Sequence, residues 1–205
     1  THTAAPVAGW MVAVTGASGA MYAMRTLAAL LERSYRVELV VSDFGRRLLT
    51  EELGTAAAAD RLLPYLTETY GPGVECGSLQ LHSNKDLGAD IASGSHGCDG
   101  MVIVPCSMKT LAGVAHGLSR NLLERAADVM LKERRPLVLV PRETPMSLPQ
   151  LRNMVACAEA GAHLLPAMPA FYQGPKRLED LADFMAGKIL SAFGMSHDLY
   201  PPWKG

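Results

Sequence analysis

The sequence predicts an α/β fold in which a parallel sheet is covered by helices within a single domain. Two observations lead to this prediction. Short apolar runs alternate with longer amphipathic stretches, which is the pattern of parallel strands joined by helical crossovers. A length of 205 residues fits one domain. A chain of this size buries roughly 70% of its unfolded surface, so it needs no disulfide or metal for stability.

The predicted strands are apolar runs of three to five residues, most of them rich in β-branched side chains. Four runs are clear and a fifth is weaker. Because each run is short and bounded by polar residues, a strand fits it better than a helix does. The runs cover residues 10–14, 37–41, 101–104, 137–140 and, more weakly, 163–165.

Amphipathic stretches between these runs predict seven helices. Segment 71–98 is rich in glycine, serine and asparagine and is predicted to be a long functional loop. We expect a flexible arm over residues 1–9, the main domain over 10–195 and a tail over 196–205. The helices are expected at about 18–33, 43–53, 55–70, 107–116, 119–134, 147–160 and 178–194.

Composition limits the class of protein. Apolar residues make up 49% of the chain and charged residues 19%, so we expect a homo-oligomer with apolar interfaces. With 19 basic and 20 acidic residues, the charge balance indicates neither a nucleic-acid nor a membrane partner. The four cysteines and six histidines lack ligand-like spacing, which predicts no metal site. Free cysteines fit a reducing, cytoplasmic location.

Polar turns directly follow the four clear strands. They begin at Thr15, Ser42, Pro105 and Pro141. Ligands of open α/β sheets bind outside the carboxyl ends of the strands, so these turns should meet at one edge of the molecule. The sequence therefore predicts a single site built from all four turns.

The first turn, TGASG at residues 15–19, joins a buried strand to a helix. Its glycines allow a ligand to approach the backbone, and the helix N-terminus supplies N–H groups and partial positive charge. Ser18 stands where a GxGxxG dinucleotide motif has its second glycine, which favours a mononucleotide or a single polar contact. The alternative is a tight turn in which Ser18 is the helix N-cap.

The third turn carries hydroxyl groups and one ammonium group. Ser107, Lys109 and Thr110 open a helix, and their side chains and backbone N–H groups suit a phosphate or the polar edge of a cofactor. The alternative is a capped helix with an exposed lysine. Cys106 has no base beside it in the sequence, so we interpret it as a small apolar residue and not as a nucleophile.

The fourth turn places Arg142 and Glu143 between two prolines, Pro141 and Pro145. The prolines restrict the backbone and so fix the directions of the two side chains. An arginine binds phosphate by two parallel contacts, and a nearby glutamate can hold or deliver a proton. The alternative is a surface ion pair.

Two lysines and a tyrosine are further candidates for binding an anion. Lys188 falls within the apolar stripe of the last helix, where a lysine either extends its ammonium group to the solvent-exposed rim or, if it cannot, needs an anionic partner. Lys132 shares a helix face with Arg125 and Asp128, which is more typical of a solvated charged stripe. Tyr172 lies in a loop, where its hydroxyl group can contact phosphate or its ring can pack against the protein.

Six segments carry a resemblance to a known family. They are TGASGA at 15–20, ASGS at 92–95, PCSMKT at 105–110, NLLERAAD at 121–128, LKERRPLVLVPRETP at 131–145 and PAMPAFY at 166–172. In this order they resemble the UbiX/Pad-type flavin prenyltransferases, formerly named phenylacrylic acid or 3-octaprenyl-4-hydroxybenzoate decarboxylases. The resemblance covers residues 10 to 195.

The resemblance implies a three-layer Rossmann-like (flavodoxin-like) sandwich, FMN as the cofactor, and a dodecamer of trimers with active sites between subunits. The implied FMN contacts are Gly16, Ala17, Ser18, Ser42, Ser107, Met108, Lys109, Thr110 and Arg142. The implied contacts of dimethylallyl phosphate are Lys132, Arg142, Glu143, Tyr172 and Lys188, the last often arginine in relatives. The implied catalytic residues are Ser18, Glu143, Lys132 and Glu52, with Glu51 as the alternative to Glu52.

The reaction that the resemblance implies joins a dimethylallyl group to N5 and C6 of reduced FMN without a metal. Basic residues would stabilise the departing phosphate and Glu143 would protonate it. The product would pass to a UbiD-type decarboxylase. Two alternatives stay open. One is an FMN-dependent cysteine-type decarboxylase, whose catalytic histidine and substrate motif we do not find. The other is a non-catalytic FMN-binding subunit of an aromatic-acid decarboxylase.

Overall fold

The computed structural model describes residues 9–201 and contains one sheet of six parallel strands in the order β3-β2-β1-β4-β5-β6. The predicted α/β fold with a parallel sheet is confirmed. The strands are β1 (Gly9–Val14), β2 (Arg36–Val41), β3 (Ser78–His82), β4 (Gly100–Cys106), β5 (Leu137–Pro141) and β6 (His163–Leu164). The α-helices are α1 (Ala20–Leu31), α2 (Asp43–Leu53), α3 (Leu62–Tyr70), α4 (Met108–Ala115), α5 (Leu122–Lys132), α6 (Leu148–Glu159) and α7 (Leu178–Ala192).

The sheet is the middle of three layers, with an apolar core on each face. Val12 and Val14 of β1 pack in the core that includes α1 and α7, whereas Met11 and Ala13 pack in the core that includes α4 and α5. All six residues of β1 are buried. A parallel sheet covered on both faces requires apolar residues on both, which explains why its strands read as continuous apolar runs.

One strand was not predicted. β3 lies in the segment 71–98 that we expected to be a loop, and it pairs in parallel with β2 at the edge of the sheet. Its five residues, SLQLH, include only two apolar side chains and are exposed or half-buried throughout. An edge strand is covered less completely than a central one, so it lacks the apolar run by which the others were recognised.

The helix expected over 55–70 is shorter than predicted. Residues Thr55–Ala57 and Ala59–Arg61 form two 3₁₀ turns, and α3 begins only at Leu62. Ala58 between them is extended, with a ψ of 140°. By propensity alone, the alanine run favours a continuous helix. In the structure the helix is interrupted here, and Ala57 and Ala59 are buried in the core.

Backbone hydrogen bonds continue between neighbouring strands beyond the carboxyl ends of the sheet. Each bond joins the turn after one strand to the strand beside it, so the turns hold fixed positions relative to one another. The bonds run from Ser42 N to Val14 O (3.0 Å), Thr15 N to Pro105 O (3.3 Å), Arg142 N to Cys106 O (3.3 Å) and Ala167 N to Pro141 O (2.9 Å).

The two ends of the chain differ in part from the expected arm and tail. Residues 1–8 of the expected arm lie outside the described residues, and Gly9 already belongs to β1. The start of the tail packs on α7, where the rings of Tyr200 and Phe184 are 4.9 Å apart. Residues 202–205 also lie outside the described part. Within residues 9–201, no helix has the length and apolar content needed to span a membrane.

Candidate active site

A cavity of about 540 Å³ opens at the carboxyl edge of the sheet. Its volume is within the usual range for sites that bind small molecules. The turns after β1, β2 and β4 all contribute to its wall, so three of the four predicted turns meet there. The predicted residues that line it are Gly16, Ser42, Ser107, Lys109 and Thr110.

The N-terminus of α1 is occupied by a carboxylate. Gly19 is the N-cap, and Glu52 Oε2 accepts hydrogen bonds from Gly19 N (3.0 Å) and Ala20 N (2.8 Å). A negative charge there compensates the partial positive charge of the helix. Ser18 is therefore not the cap. It is exposed and makes no hydrogen bond within residues 9–201.

The alternative acidic residue points elsewhere. Glu51 forms an exposed ion pair with Arg47, with 2.6 Å between Oε1 and Nε. Glu52, one residue later, is the carboxylate that reaches the first turn. Of the two candidates, only Glu52 lies beside Ser18 and its neighbours.

Gly16 and Phe44 form a close contact between the first and second turns. A Cβ atom on Gly16 would lie 2.5 Å from Cβ of Phe44, so a larger residue does not fit without a shift. The Phe44 ring is 66% exposed and lines the cavity. It offers a planar ligand an aromatic surface for stacking. In the sequence, nothing marks Phe44 as a site residue except its position after Ser42 and Asp43.

The N-terminus of α4 faces the cavity with donors that lack an intrahelical acceptor. Ser107 is the N-cap, and its Oγ accepts a hydrogen bond from Thr110 N (3.3 Å). The amides of Met108 and Lys109 lie in the first turn, where an α-helix provides no acceptor for them. The Met108 side chain is buried in the core, so only its backbone can meet a ligand. Lys109 adds an exposed ammonium group.

The N-terminus of α5 lines the same cavity but is already capped. Asn84 accepts from Leu122 N through its backbone oxygen and from Leu123 N through Oδ1, both at 3.0 Å. Asn121 Oδ1 accepts from Glu124 N at 2.9 Å. Anion binding at a helix N-terminus requires unpaired N–H groups, so α4 is better suited to it than α1 or α5.

An ion pair between a buried carboxylate and an exposed arginine lies in the cavity wall. The carboxylate of Glu124 is 4% exposed and pairs with Arg120, with 2.7 Å between Oε1 and Nη2. Burial raises the pKa of Glu124, but the hydrogen bonds and charge of Arg120, together with the charge of Lys109, hold it below its ordinary value. Glu124 is thus ionised and lies close to two cations of the site.

Several residues of the cavity were not predicted. Asn84 and Lys85 belong to the segment expected to be functional, but no residue in it was singled out. Asn121 and Glu124 occur in a segment used for the resemblance, without an assigned role. The unpredicted residues that line the cavity are Asp43, Phe44, Asn84, Lys85, Arg120, Asn121 and Glu124.

Arg142 and Glu143 follow β5 next to the α4 turn. Arg142 is exposed, and its backbone N–H donates to Cys106 O. Glu143 is half-buried, and its Oε1 accepts from Thr144 N at 3.1 Å. The alternative of an ion pair between the two is not observed within residues 9–201. Burial raises the pKa of Tyr22, the charge of Arg142 lowers it and the charge of Glu52 raises it. Arg142 and Glu52 are therefore both close enough to Tyr22 to interact with it electrostatically.

Lys132 lies at the opposite edge of the sheet. It is the last residue of α5, just before β5 begins, and its Nζ is 2.8 Å from Oε1 of Glu133. A Cβ atom on Gly94 would lie 3.2 Å from Lys132 Nζ, so the ASGS segment borders it. Within one chain, Lys132 therefore does not join Arg142.

Tyr172 and Lys188 meet at a third place, on the ring of Phe184. The Tyr172 ring packs edge-on at 6.3 Å between centroids, and Lys188 Nζ is 5.5 Å from the centroid of Phe184. Lys188 is exposed, so of the two alternatives for a lysine in this stripe, the structure shows the one in which the ammonium group reaches solvent. The neighbouring residues Phe184–Gly187, Ile189 and Leu190 are buried, so α7 has a narrower polar side than its pattern indicated.

Cys106 is part of the core. Burial raises the pKa of its thiol far above the ordinary value, so the thiolate form is disfavoured and the residue is a poor nucleophile. All four cysteines are free and only Cys76 is exposed. Over residues 9–201, no group of three or more histidine, cysteine, aspartate or glutamate residues is arranged to hold a metal ion.

Comparisons with known proteins give a consistent result. The Flavoprotein family model matches residues 2–188. The curated flavin prenyltransferase UbiX of Halalkalibacterium halodurans is 46% identical over 194 residues, covering 95% of this chain and 92% of that protein. A crystal structure of AnUbiX in complex with FMN and dimethylallyl pyrophosphate has a TM-score of 0.87 and 38% identity, covering 97% of this chain and 98% of the other.

A second solved structure, a dodecameric FMN-dependent UbiX-like decarboxylase from Escherichia coli O157:H7, has a TM-score of 0.85 and 37% identity. It covers 96% of this chain and 100% of the other. The similarity extends over the whole sheet and all the turns described above. The chain belongs to the Flavoprotein family and, within it, to the UbiX flavin prenyltransferases.

Proposed function

We propose that this protein joins the dimethylallyl group of dimethylallyl phosphate to N5 and C6 of reduced FMN, giving prenylated FMN. The observation that carries the proposal is the cavity at the carboxyl edge, with the open N-terminus of α4 and the exposed ring of Phe44. A solved relative that matches nearly the full chain is a complex with FMN and dimethylallyl pyrophosphate. The fold, the cavity and the relative's ligands therefore support the same activity.

The residues of the cavity fit FMN. The amides of Met108 and Lys109, the Lys109 ammonium group and the hydroxyl groups of Ser107 and Thr110 suit its phosphate or the polar edge of its ring. Phe44 can stack on the planar ring. Gly16 and Ser42 line the wall beside it, and Ala17 and Ser18 continue the turn that begins with Gly16. When bound in its reduced form, FMN supplies the nucleophilic atoms that receive the dimethylallyl group.

Arg142 and Glu143 act on the other substrate. Arg142 is exposed and close to the α4 turn, where its guanidinium group can hold the phosphate by two contacts. As the allylic C–O bond breaks, the phosphate leaves with the electron pair. Arg142 stabilises the developing charge, and Glu143 protonates a phosphate oxygen. Ser18 would face the flavin, and Glu52 holds the turn in place by accepting hydrogen bonds from Gly19 N and Ala20 N.

Lys132, Tyr172 and Lys188 serve the same site only if neighbouring copies of the chain bring them there. We propose a homododecamer, as in the dodecameric relative, with each phosphate site completed by these residues from adjacent subunits. Three exposed apolar residues on α6, at Leu148, Leu151 and Val155, support an interface between copies. The free cysteines fit a cytoplasmic location.

The test is a direct assay of the flavin product. The protein is incubated without oxygen with reduced FMN and either dimethylallyl phosphate or dimethylallyl pyrophosphate, and the released flavin is analysed by mass spectrometry. We expect the flavin to gain the mass of one prenyl unit, and oxidised FMN to stay unchanged. Unmodified flavin with both esters would reject the prenyltransferase and favour a non-catalytic FMN-binding subunit or a cysteine-type decarboxylase.

The downstream step can be tested separately. We propose that the product is transferred to a UbiD-type decarboxylase. Supplying the purified reaction mixture to such an enzyme lacking its cofactor should restore decarboxylation, whereas FMN alone should not. Failure of this step with a correct flavin product would reject the partner and leave the prenyltransfer intact.

A further inference from the structure

Thr15 joins the first and third turns by its side chain. Regular pairing between β1 and β4 ends at Ala13 and Ile103. Beyond that point, Thr15 Oγ1 donates a hydrogen bond to Pro105 O and accepts one from Ser107 N, both at 2.7 Å. The residue is 1% exposed, so the side chain itself cannot contact a ligand in the cavity.

A backbone bond from Thr15 N to Pro105 O (3.3 Å) accompanies these two bonds, and the neighbouring pairs of turns are also joined by backbone bonds. Ser42 N donates to Val14 O and Arg142 N donates to Cys106 O. A substitution leaves bonds of that kind in place. The junction between the turns of β1 and β4 depends in addition on a side chain. Thr15 Oγ1 binds both a carbonyl oxygen and an amide of the β4 turn. Ser107, whose amide it holds, is the N-cap of α4.

We propose that Thr15 is a positioning residue, which sets the distance between the turn at Gly16 and the N-terminus of α4 and thereby the affinity of the site for FMN. Gly16 directly follows Thr15, and Lys109 follows Ser107 by two residues; both line the cavity. A shift of one turn relative to the other changes the distance between the backbone at Gly16 and the donors at the start of α4, which line the same cavity. The proposal rests on the proposed function, because it identifies the ligand as FMN.

Thr15→Val keeps the shape of the side chain and removes both hydrogen bonds. The amide of Ser107 then lacks an acceptor, which is the costly case for a buried polar group. We expect the Kd for FMN to rise about 10- to 100-fold. At saturating FMN, we expect the KM for dimethylallyl phosphate to stay within about threefold of wild type, because Arg142 is held by its own bond to Cys106 O. Thr15→Ser, which keeps the hydroxyl group, should restore tight binding.

Thr26→Val is the matched control. Thr26 is also buried, and its Oγ1 donates to Tyr22 O within α1, away from the junction of the turns. This variant should lower the melting temperature without changing the Kd for FMN. If Thr15→Val lowers the melting temperature but keeps the Kd within about threefold of wild type, the proposal is wrong. If Thr15→Val does not fold, Thr15→Ala is titrated in its place against the same limit.

The outcomes separate this inference from the proposed function. Wild-type protein that binds FMN but does not prenylate it would reject the function and still allow the titrations of Thr15. Wild-type protein that prenylates FMN, with Thr15→Val binding as tightly, would reject only the role of Thr15. Wild-type protein that does not bind FMN would reject both.

Discussion

The two halves of the proposed site differ in how firmly a single chain holds them. At the carboxyl edge, the turns are fixed by backbone hydrogen bonds, by the two side-chain bonds of Thr15 and by the pair of the buried Glu124 with Arg120. Lys132 and Lys188 are exposed; Lys132 forms a surface ion pair with Glu133, and Lys188 lies over the ring of Phe184. Exposed ion pairs contribute little, so one chain does not order these side chains.

This difference has a physical consequence. A rigid pocket binds a ligand without first losing conformational freedom, which suits the flavin. Flexible cations on the surface become a phosphate site only when another subunit restrains them. We therefore expect the flavin half of the site to depend on the fold of one chain and the phosphate half to depend on assembly.

The largest expected effect is at Glu143, on the boundary between the halves. Glu143→Gln keeps the size of the side chain and removes the proton that it delivers, so the chemical step should slow by about 10²–10⁴. FMN should bind as in wild type, because the α4 turn is unchanged. Single-turnover rates measured at saturating FMN test this, and rates near wild type would remove Glu143 from the mechanism.

The next effect tests whether the phosphate half is shared between subunits. Lys132→Met removes the ammonium group and should lower kcat/KM for dimethylallyl phosphate by about 10- to 100-fold, with the Kd for FMN unchanged. Lys176→Met, at another exposed lysine, is the control and should have no effect.

Co-expression then distinguishes the two arrangements. Mixed oligomers of Lys132→Met and Arg142→Met chains contain some sites with a native lysine from one chain and a native arginine from the other. Activity above that of either variant alone would show that the two residues act across an interface. No recovery, with mixed assembly verified by mass spectrometry, would contradict the shared site.

A smaller effect concerns the rigidity of the flavin half. Glu124→Gln removes the charge that pairs with Arg120 and should lower the free energy of unfolding by about 1–3 kcal/mol at pH 7. Because the pKa of Glu124 is lowered in the folded state, its contribution is present above the ordinary glutamate pKa and is lost as the pH falls through the folded value. Urea unfolding at a series of pH values should show a difference between wild type and variant that is full at pH 7 and shrinks as the pH is lowered. An equal difference at every pH value would assign the effect to packing.

The smallest effect is expected at Lys188. Lys188→Arg keeps the charge and adds a planar fork, so the KM for dimethylallyl phosphate should change by less than about threefold. Lys188→Met should raise that KM by more, since the charge is lost. Equal KM values for wild type and Lys188→Met would exclude Lys188 from the phosphate site.

The fold was predictable because its signals are local. β1, β2, β4 and β5 are apolar runs, and their polar turns follow at once in the sequence, so Ser42, Ser107 and Lys109 could be expected at one edge. β3 escaped prediction because an edge strand needs no apolar run. Phe44 and Asn84 were not predicted as site residues, because their positions at the cavity depend on packing between segments that are far apart in the chain.

The sequence by itself determined the α/β class, the order of the four apolar strands and the helices between them, and the edge at which the site lies, since hydrophobic periodicity and the polar turns after the strands are local features of the chain. Only the tertiary structure decided which helix N-terminus stays open. Glu52 caps α1 and Asn84 caps α5 from distant positions, which leaves the amides at the start of α4 facing the cavity. Tertiary structure also decided that Lys132 lies at the opposite edge of the sheet and that Lys188 is exposed. Both depend on how the helices pack against the sheet, which the sequence of one helix does not determine.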